Sequence, residues 1–280
     1  MSAPTVVQRI GEAFAGRELL INLTLRELRS RYKKSALGWL WSLLNPLASV
    51  AIYWVVFGYF LDIQPPVGDP SGLESFVIYL LCALIPWIYF SNSVQSSLEA
   101  LVGNAGLIKK VYFPRDLLVM SVIGALLVTM LIEMSVVLVI LLVAGNFVIP
   151  WIPMVLVLIL LETLLVLGAG LFLSVANVYF RDVKHFIGIA MQALFYSTPI
   201  IYPLSVVPDT ADVLGIEIPI GDIYRLNPLV QMVQAYRSVL YDLRFPPLDS
   251  MLYLIGWSVG VLLVGYWFFE RHQRRLAEEV

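Results

Sequence analysis

The sequence predicts an all-α, polytopic membrane protein of six transmembrane helices preceded by an amphipathic helix at the membrane interface. Three observations predict it. The 280 residues are 60% hydrophobic and only 14% charged, outside the range of an ordinary soluble domain. The apolar residues gather into long uninterrupted runs rather than recurring stripes, and the positive charge falls almost wholly on one side of the sheet of loops that those runs define.

Six apolar segments can be marked at 43–61, 76–97, 117–144, 152–178, 186–205 and 250–269. Each is long enough, alone or with an interfacial extension, to cross a hydrocarbon core of about 30 Å as a helix. The second is the least secure, because Phe76–Phe90 gives way to Ser91, Asn92, Ser93 and Gln95. Backbone groups in lipid must be satisfied within the segment, so such runs exclude open sheets and favour a helical bundle.

Charge supplies the orientation. With both termini cytoplasmic, 15 of the 18 Lys and Arg lie inside, and only Arg225, Arg237 and Arg244 lie outside. The net charge of −2 averages away this sidedness, and no nucleic acid is expected as a partner. No cleavable signal peptide is expected, since no apolar core precedes Leu19. The single Cys82 rules out an intrachain disulfide, and His185 and His272 lack ligand spacing, so no metal site is expected.

Residues 17–36 read as the interface helix. Ile21, Leu25, Leu28 and Tyr32 share one side at helical spacing, while Arg26, Arg29 and Lys33 follow another. The plain reading is an anchor whose basic residues meet anionic headgroups. The sharper one adds a partner docked through Glu27, Arg31 and Lys34. Trp39 and Trp41 then belong to the interfacial belt, and Asn45–Pro46 loosens or bends the start of the first span.

Taken together, RYKKSALGWLWSLLNPL at 31–47, LIKKVYFPRDLL at 107–118, ANVYFRDVKHF at 176–186, STPIIYP at 197–203, RLNPL at 225–229 and the C-terminal FFERHQRR run resemble the permease subunits of type-2 ABC exporters. The branch they resemble moves lipid-linked polysaccharides and teichoic acids. The resemblance covers essentially the whole chain, and implies one transmembrane domain over 1–280 in the bacterial cytoplasmic membrane. It implies a homodimer joined by two ATPase subunits, with ATP and magnesium bound by the ATPases; the chain itself has no GxxxxGK[ST] stretch with which to hold a nucleotide.

The resemblance makes the 98–116 loop the main coupling element seated in a cleft of the ATPase. Glu99, Asn104, Lys109, Lys110, Arg115 and Asp116 surround its short apolar stretches, and Pro114 suits the start of the next span. Arg181–Asp182 opens the other inner loop as a local ion pair or a smaller second contact. The alternative is an ordinary positive-inside loop. The resemblance also implies short outer re-entrant helices in 206–249 that close the exit and help hold the dimer. Within that region LNPLVQMVQAYRSVLY reads as an amphipathic helix starting after Asn227–Pro228, with Arg237 or Asp242 meeting a headgroup or another helix. A helix resting on the membrane surface is the alternative, because a fully buried Arg is expensive.

Within the spans, Glu133 and Glu162 are the clear ionisable candidates, each roughly 15 Å from the outer end of its segment. A shared depth would let them face each other, as a hydrogen-bonding pair or as a proton relay; separate contacts within the bundle are the plainer role. Tyr53, Trp54, Phe57, Tyr59 and Phe60 crowd the outer half of span one, and Phe195, Tyr196 and Tyr202 occupy span five and its exit. Aromatic faces can line a corridor for sugar rings and prenyl chains, or simply face lipid. In the resembled family spans one and five border the translocation path.

The expected substrate is a polyprenyl-linked glycan or polyol phosphate passing from the inner toward the outer leaflet, with membrane lipid around it. At the inner mouth Arg26, Arg29, Lys33 and Lys34 are the candidate first contacts for an anionic substrate. An ABC exporter of small drugs or other lipids is the alternative within transport. A membrane enzyme acting on polyprenyl phosphate sugars would need a concentrated acid, histidine and nucleophile constellation that the loops lack. A passive scaffold is the third class.

Overall fold

In the computed structural model, residues 6–31, 37–38, 40–111, 113–213, 216–273 and 276 are described. They form a helical bundle, α1 (Val6–Arg31), α2 (Leu40–Tyr53), α3 (Phe76–Ala100), α4 (Ala105–Lys110), α5 (Asp116–Val143), α6 (Ile152–Tyr179), α7 (Val183–Ser197), α8 (Ile220–Arg225), α9 (Pro228–Arg237) and α10 (Leu248–His272). One feature is not helical: residues 211–213 and 216–218 pair as a short antiparallel hairpin.

Five segments among the described residues are long and apolar enough to cross a membrane: Leu43–Phe60, Phe76–Ala100, Asp116–Val143, Ile149–Tyr179 and Leu248–His272. The expected span over 186–205 is instead the 15-residue α7, which stops at Ser197. Its length of about 22 Å falls short of the hydrocarbon core. The cause is local, because Thr198 precedes Pro199 and takes the extended conformation that such a position favours.

The second span, least secure in the sequence, is the central pillar. In the most apolar 18-residue stretch of Phe76–Ala100, 78% of residues lie inside the protein, against 11% for Leu43–Phe60. Of the polar residues that weakened its reading, Ser93 is buried, Ser91 is partly buried, and Asn92 and Gln95 are exposed. Ser97 Oγ donates to the Ser93 carbonyl at 2.7 Å, and Asn177 Nδ2 of α6 donates to the Leu98 carbonyl at 2.7 Å. An apolar run was therefore too strict a test for a helix surrounded by other helices.

Around α3 the neighbours pack by close backbone approach. A Cβ on Gly170 of α6 would lie 2.6 Å from Ser97 Oγ, and α1 lies along α5 with Thr24 against Gly124. The α6–α10 crossing is tighter still, since a Cβ on Gly265 would sit 2.0 Å from the Gly168 carbonyl oxygen. Small residues that let backbones touch are the expected cement between helices whose surroundings are as apolar as their side chains.

α1 begins at Val6, well before residue 17. Leu23 and Leu28 are buried, while Ile21 and Leu25 are exposed. The apolar stripe of 21, 25 and 28 is thus divided, Leu28 packing into the protein and Ile21 and Leu25 staying on its surface. Pro46 lies inside an unbroken α2, and the departure from α geometry comes later, in the π-helical Trp54–Phe60. Loops and termini sort to two ends. Asn146 Nδ2 donates to the Leu240 carbonyl and Tyr241 Oη to the Leu73 carbonyl, gathering the 61–75, 144–151 and 238–243 segments at one end. Lys184 pairs with Glu99, and Arg115 donates to the Gln273 carbonyl, at the other.

Replacing Gly265 by Val should lower stability by about 1–3 kcal/mol or more, because nothing but backbone stands in the way of the new side chain. Gly256→Ala, which meets nothing within 4 Å, should leave it unchanged. Thermal unfolding of the detergent-solubilised protein checks the pair.

Candidate functional site

At the end that carries α4, cross-links join four parts of the chain. Arg26 Nη2 of α1 donates to Asn104 Oδ1 at 2.7 Å, and Asn104 Nδ2 donates back to the Ala100 carbonyl at 2.9 Å. Glu99 and Lys184 approach to 2.7 Å, tying the last turn of α3 to the start of α7. Arg115 reaches the Gln273 carbonyl beyond α10. Arg26 and Asn104, assigned in sequence to an inner mouth and to a coupling loop, thus meet, and Glu99 and Arg115 each tie the surface at this end to another part of the chain.

Other expected members of that surface are less engaged. Lys109 and Lys110 are exposed and, with Ile108, Val111, Phe113 and Arg115, line a hollow of about 230 Å³. Asp116 is the first residue of α5 and partly buried. Arg181 and Asp182 are exposed, and no ion pair joins them; the charge partner across the loops is Lys184, which the sequence reading missed. Arg29 is exposed. Lys33 and Lys34 lie outside the described residues.

The aromatic candidates divide into two groups. Tyr53 of α2 stands 6.0 Å from Phe195 of α7, ring centroid to centroid, and Phe57 and Tyr196 flank this pair at 6.2 and 5.3 Å. Behind them Trp87 of α3 meets Phe195 at 5.6 Å and Phe90 at 5.9 Å. Neither was a sequence candidate, because an aromatic within a long apolar run gives no sign of which neighbour it meets. Trp54, Tyr59 and Phe60 point away from this cluster and are exposed, Tyr59 and Phe60 to more than 70%. Tyr202 donates to the Tyr196 carbonyl at 2.8 Å and so closes the end of α7. The result is an aromatic wall shared by α2 and α7, the two elements least covered by the rest of the bundle.

The two intramembrane acids do not meet. Glu162 of α6 accepts a hydrogen bond from Tyr236 Oη of α9 at 2.8 Å, while Tyr89 and Thr163 pair beside it at 3.0 Å. Glu133 lines a different cavity, between α2, α3 and α5. Equal depth along two helices fixes height but not azimuth, and here the carboxyls face different neighbours.

Arg237 overturns the surface-resting alternative for α9. It is 2% exposed. Its Nη1 and Nη2 donate to the carbonyls of Pro199 and Ile200 at 2.5 and 2.6 Å, and its guanidinium carbon lies 3.7 Å from the centre of the Tyr79 ring. The planar fork and its aromatic stacking make a buried cation tolerable where a lone charge would be excluded. Asn227 caps α9 by accepting from the Leu229 amide, and Pro228 takes the first turn, as the sequence indicates. Asp242 pairs instead with Arg244 at 3.2 Å.

The family model described as ABC-2 type transporter matches residues 18–241, from the interface helix through α9. This chain belongs to the ABC-2 type transporter family. It is therefore a multi-pass membrane permease component. It is similar to the O-antigen export system permease protein RfbA of Myxococcus xanthus, at 29% identity over 98% of this chain and 100% of that one. An RfbA of Klebsiella pneumoniae is 29% identical over 93% and 94% of the two chains. The polysialic acid transport protein KpsM of Escherichia coli is 29% identical over 87% and 89%. The matched region contains Arg26, Glu99, Asn104 and Arg115, the aromatic wall and Arg237. Among the described residues no three His, Cys, Asp or Glu side chains gather to hold a metal.

Arg237→Lys should destabilise the permease by about 1.5–3 kcal/mol, since an ammonium cannot bridge both carbonyls and loses its stacking on Tyr79. Arg244→Lys, at an exposed pair, should change it by less than about 1 kcal/mol. Thermal unfolding of both variants in detergent separates the two expectations.

Proposed function

We propose that this chain is the membrane subunit of an ATP-driven exporter that moves a lipid-linked polysaccharide or teichoic acid across the bacterial cytoplasmic membrane. The observation that carries the reading is near-full-length similarity to permeases whose names specify O-antigen export and polysialic acid transport. The chain acts as a single transmembrane domain over 1–280, paired with a second copy and two ATPase subunits that bind ATP and magnesium.

Six crossings with both termini cytoplasmic fit this reading. Glu99–Lys184 ties the start of α7 to the α4 end, whereas Leu240 meets Asn146 at the other, so the chain between 184 and 240 must traverse the bundle. α7 with the 198–203 turn supplies the sixth crossing, and the 206–249 region with α8 and α9 forms the outer re-entrant closure.

The connected surface of Glu99, Asn104, Lys109, Lys110, Arg115 and Asp116, with Arg181 and Asp182 beside it, receives the ATPase. Motion there is passed to α1 through Arg26–Asn104 and to α7 through Glu99–Lys184. The aromatic wall of α2 and α7 borders the substrate path, with Tyr53, Phe57, Phe195, Tyr196 and Tyr202 on one stretch and Trp54, Tyr59 and Phe60 beyond. Aromatic faces hold successive sugar rings without binding any one of them tightly. Arg26 and Arg29, with Lys33 and Lys34 in the sequence that follows, are the candidate first contacts of an anionic substrate at the inner mouth.

In proteoliposomes containing the permease and its ATPase, a polyprenyl-linked glycan should cross outward only with ATP, and a lipid lacking the glycan should not. Transfer of neither by an assembled, ATP-hydrolysing complex would move a small-molecule or other lipid cargo to the front. Reversing both Lys109 and Lys110 to Glu should reduce recovery of the ATPase with the permease by about tenfold, which co-purification measures.

A further inference from the structure

Between α2, α3 and α5 lies a cavity of about 560 Å³ whose walls are unlike the apolar bundle around it. Glu133 of α5 is 5% exposed, reaches this cavity, and makes no hydrogen bond or ion pair with any described residue. A buried carboxyl without a donor is costly in a membrane interior, and such groups mark sites rather than packing. Asn45 of α2 and Asn92 of α3 line the same space, so three helices each contribute a polar side chain.

The hydrogen-bonding inventory restricts what can fill it. Thr129 spends its proton on the Ala125 carbonyl at 3.2 Å and turns lone pairs to the cavity. The Asn45 and Asn92 carboxamides both donate and accept, which leaves the Glu133 carboxyl as the acceptor still lacking a donor. A phosphodiester has no proton to give it. Hydroxyl groups can donate to Glu133 and also accept from the two amides. At one edge stands Arg31, whose Nε faces Glu27 at 3.6 Å and whose Nη2 donates to Ser96 Oγ at 3.3 Å, leaving Nη1 for an anion. Trp41 offers an aromatic face at the same edge. The volume falls within the range of small-molecule sites.

We infer that this cavity receives the sugar-phosphate headgroup of the lipid-linked substrate within one protomer, with hydroxyls on Glu133, Asn45 and Asn92 and phosphate on Arg31. The inference rests on the exporter reading and adds a site to it, separate from the α2–α7 wall. In this arrangement Glu133 sets preference for a hydroxylated headgroup, and Arg31 sets preference for an anionic one.

The test is equilibrium binding to the permease–ATPase complex in nanodiscs, with a fluorescent short-chain prenyl-diphosphate disaccharide as probe and the same prenyl diphosphate without sugar as control. Wild type should bind the saccharide lipid at least about tenfold more tightly. Glu133→Leu should erase about tenfold of that preference, as loss of a buried acceptor implies, and Glu133→Gln should restore it to within about threefold. Asn92→Leu, at an exposed position that tolerates an apolar side chain, should have the same sense and decides the matter if Glu133→Leu does not assemble. Saccharide binding unchanged in Asn92→Leu and in an assembled Glu133→Leu overturns the site while leaving glycan transport by wild type intact. Equal binding of the two lipids by wild type, with no glycan transport, overturns the exporter reading itself.

Discussion

The guanidinium of Arg237 holds together the end of this protein opposite α4. It takes the carbonyls of Pro199 and Ile200, left without helical partners where α7 ends, and rests on the Tyr79 ring of the central helix. One side chain thereby fixes α9 to both the pillar and the least embedded helix. Tyr241 extends the same junction, packing edge-on against Tyr79 at 5.3 Å and donating to the Leu73 carbonyl at 2.7 Å. A buried cation is normally a liability in so apolar a setting. Here it replaces the hydrogen bonds that Pro199 and the end of α7 would otherwise forfeit, so its burial and the interruption of α7 are two sides of one arrangement.

Much of the fold was legible because its physics is local. Long apolar runs gave five spans to within about three residues at each end, Asn227–Pro228 marked the start of α9, and the charge asymmetry separated loops that the structure indeed gathers at opposite ends. What the sequence left open depends on neighbours. Ser93 looks like the end of a span until the bundle is seen to bury it, and the apolar stripe of α1 does not reveal that Leu28 turns to the bundle while Ile21 stays at the surface. Periodicity reports that a face exists, not which neighbour takes it.

The candidate site shows the same division. Of Arg26, Asn104, Glu99 and Arg115, the first two bond to each other, while Glu99 pairs with Lys184 and Arg115 with the Gln273 carbonyl, partners invisible in the sequence because both contacts span large separations. Tyr53 and Phe195 were proposed to border one space and do meet, whereas Trp87 needed the fold to be found. Glu133 and Glu162 were matched in height and turned out to face apart. A one-dimensional count fixes where along the membrane normal a group lies, and side-by-side placement comes from packing alone.

The bundle is unevenly embedded. α3 is enclosed on nearly every side, while the α2 segment keeps only a narrow strip against its neighbours and α7 buries little beyond Met191. Displacing a helix costs in proportion to the contacts it must give up, so the two flanking helices can shift while the pillar stays still. The chain is built like a door on a post: the post is α3, clamped by Arg237 at the end away from α4, and the panel is the aromatic-faced pair that hangs from it.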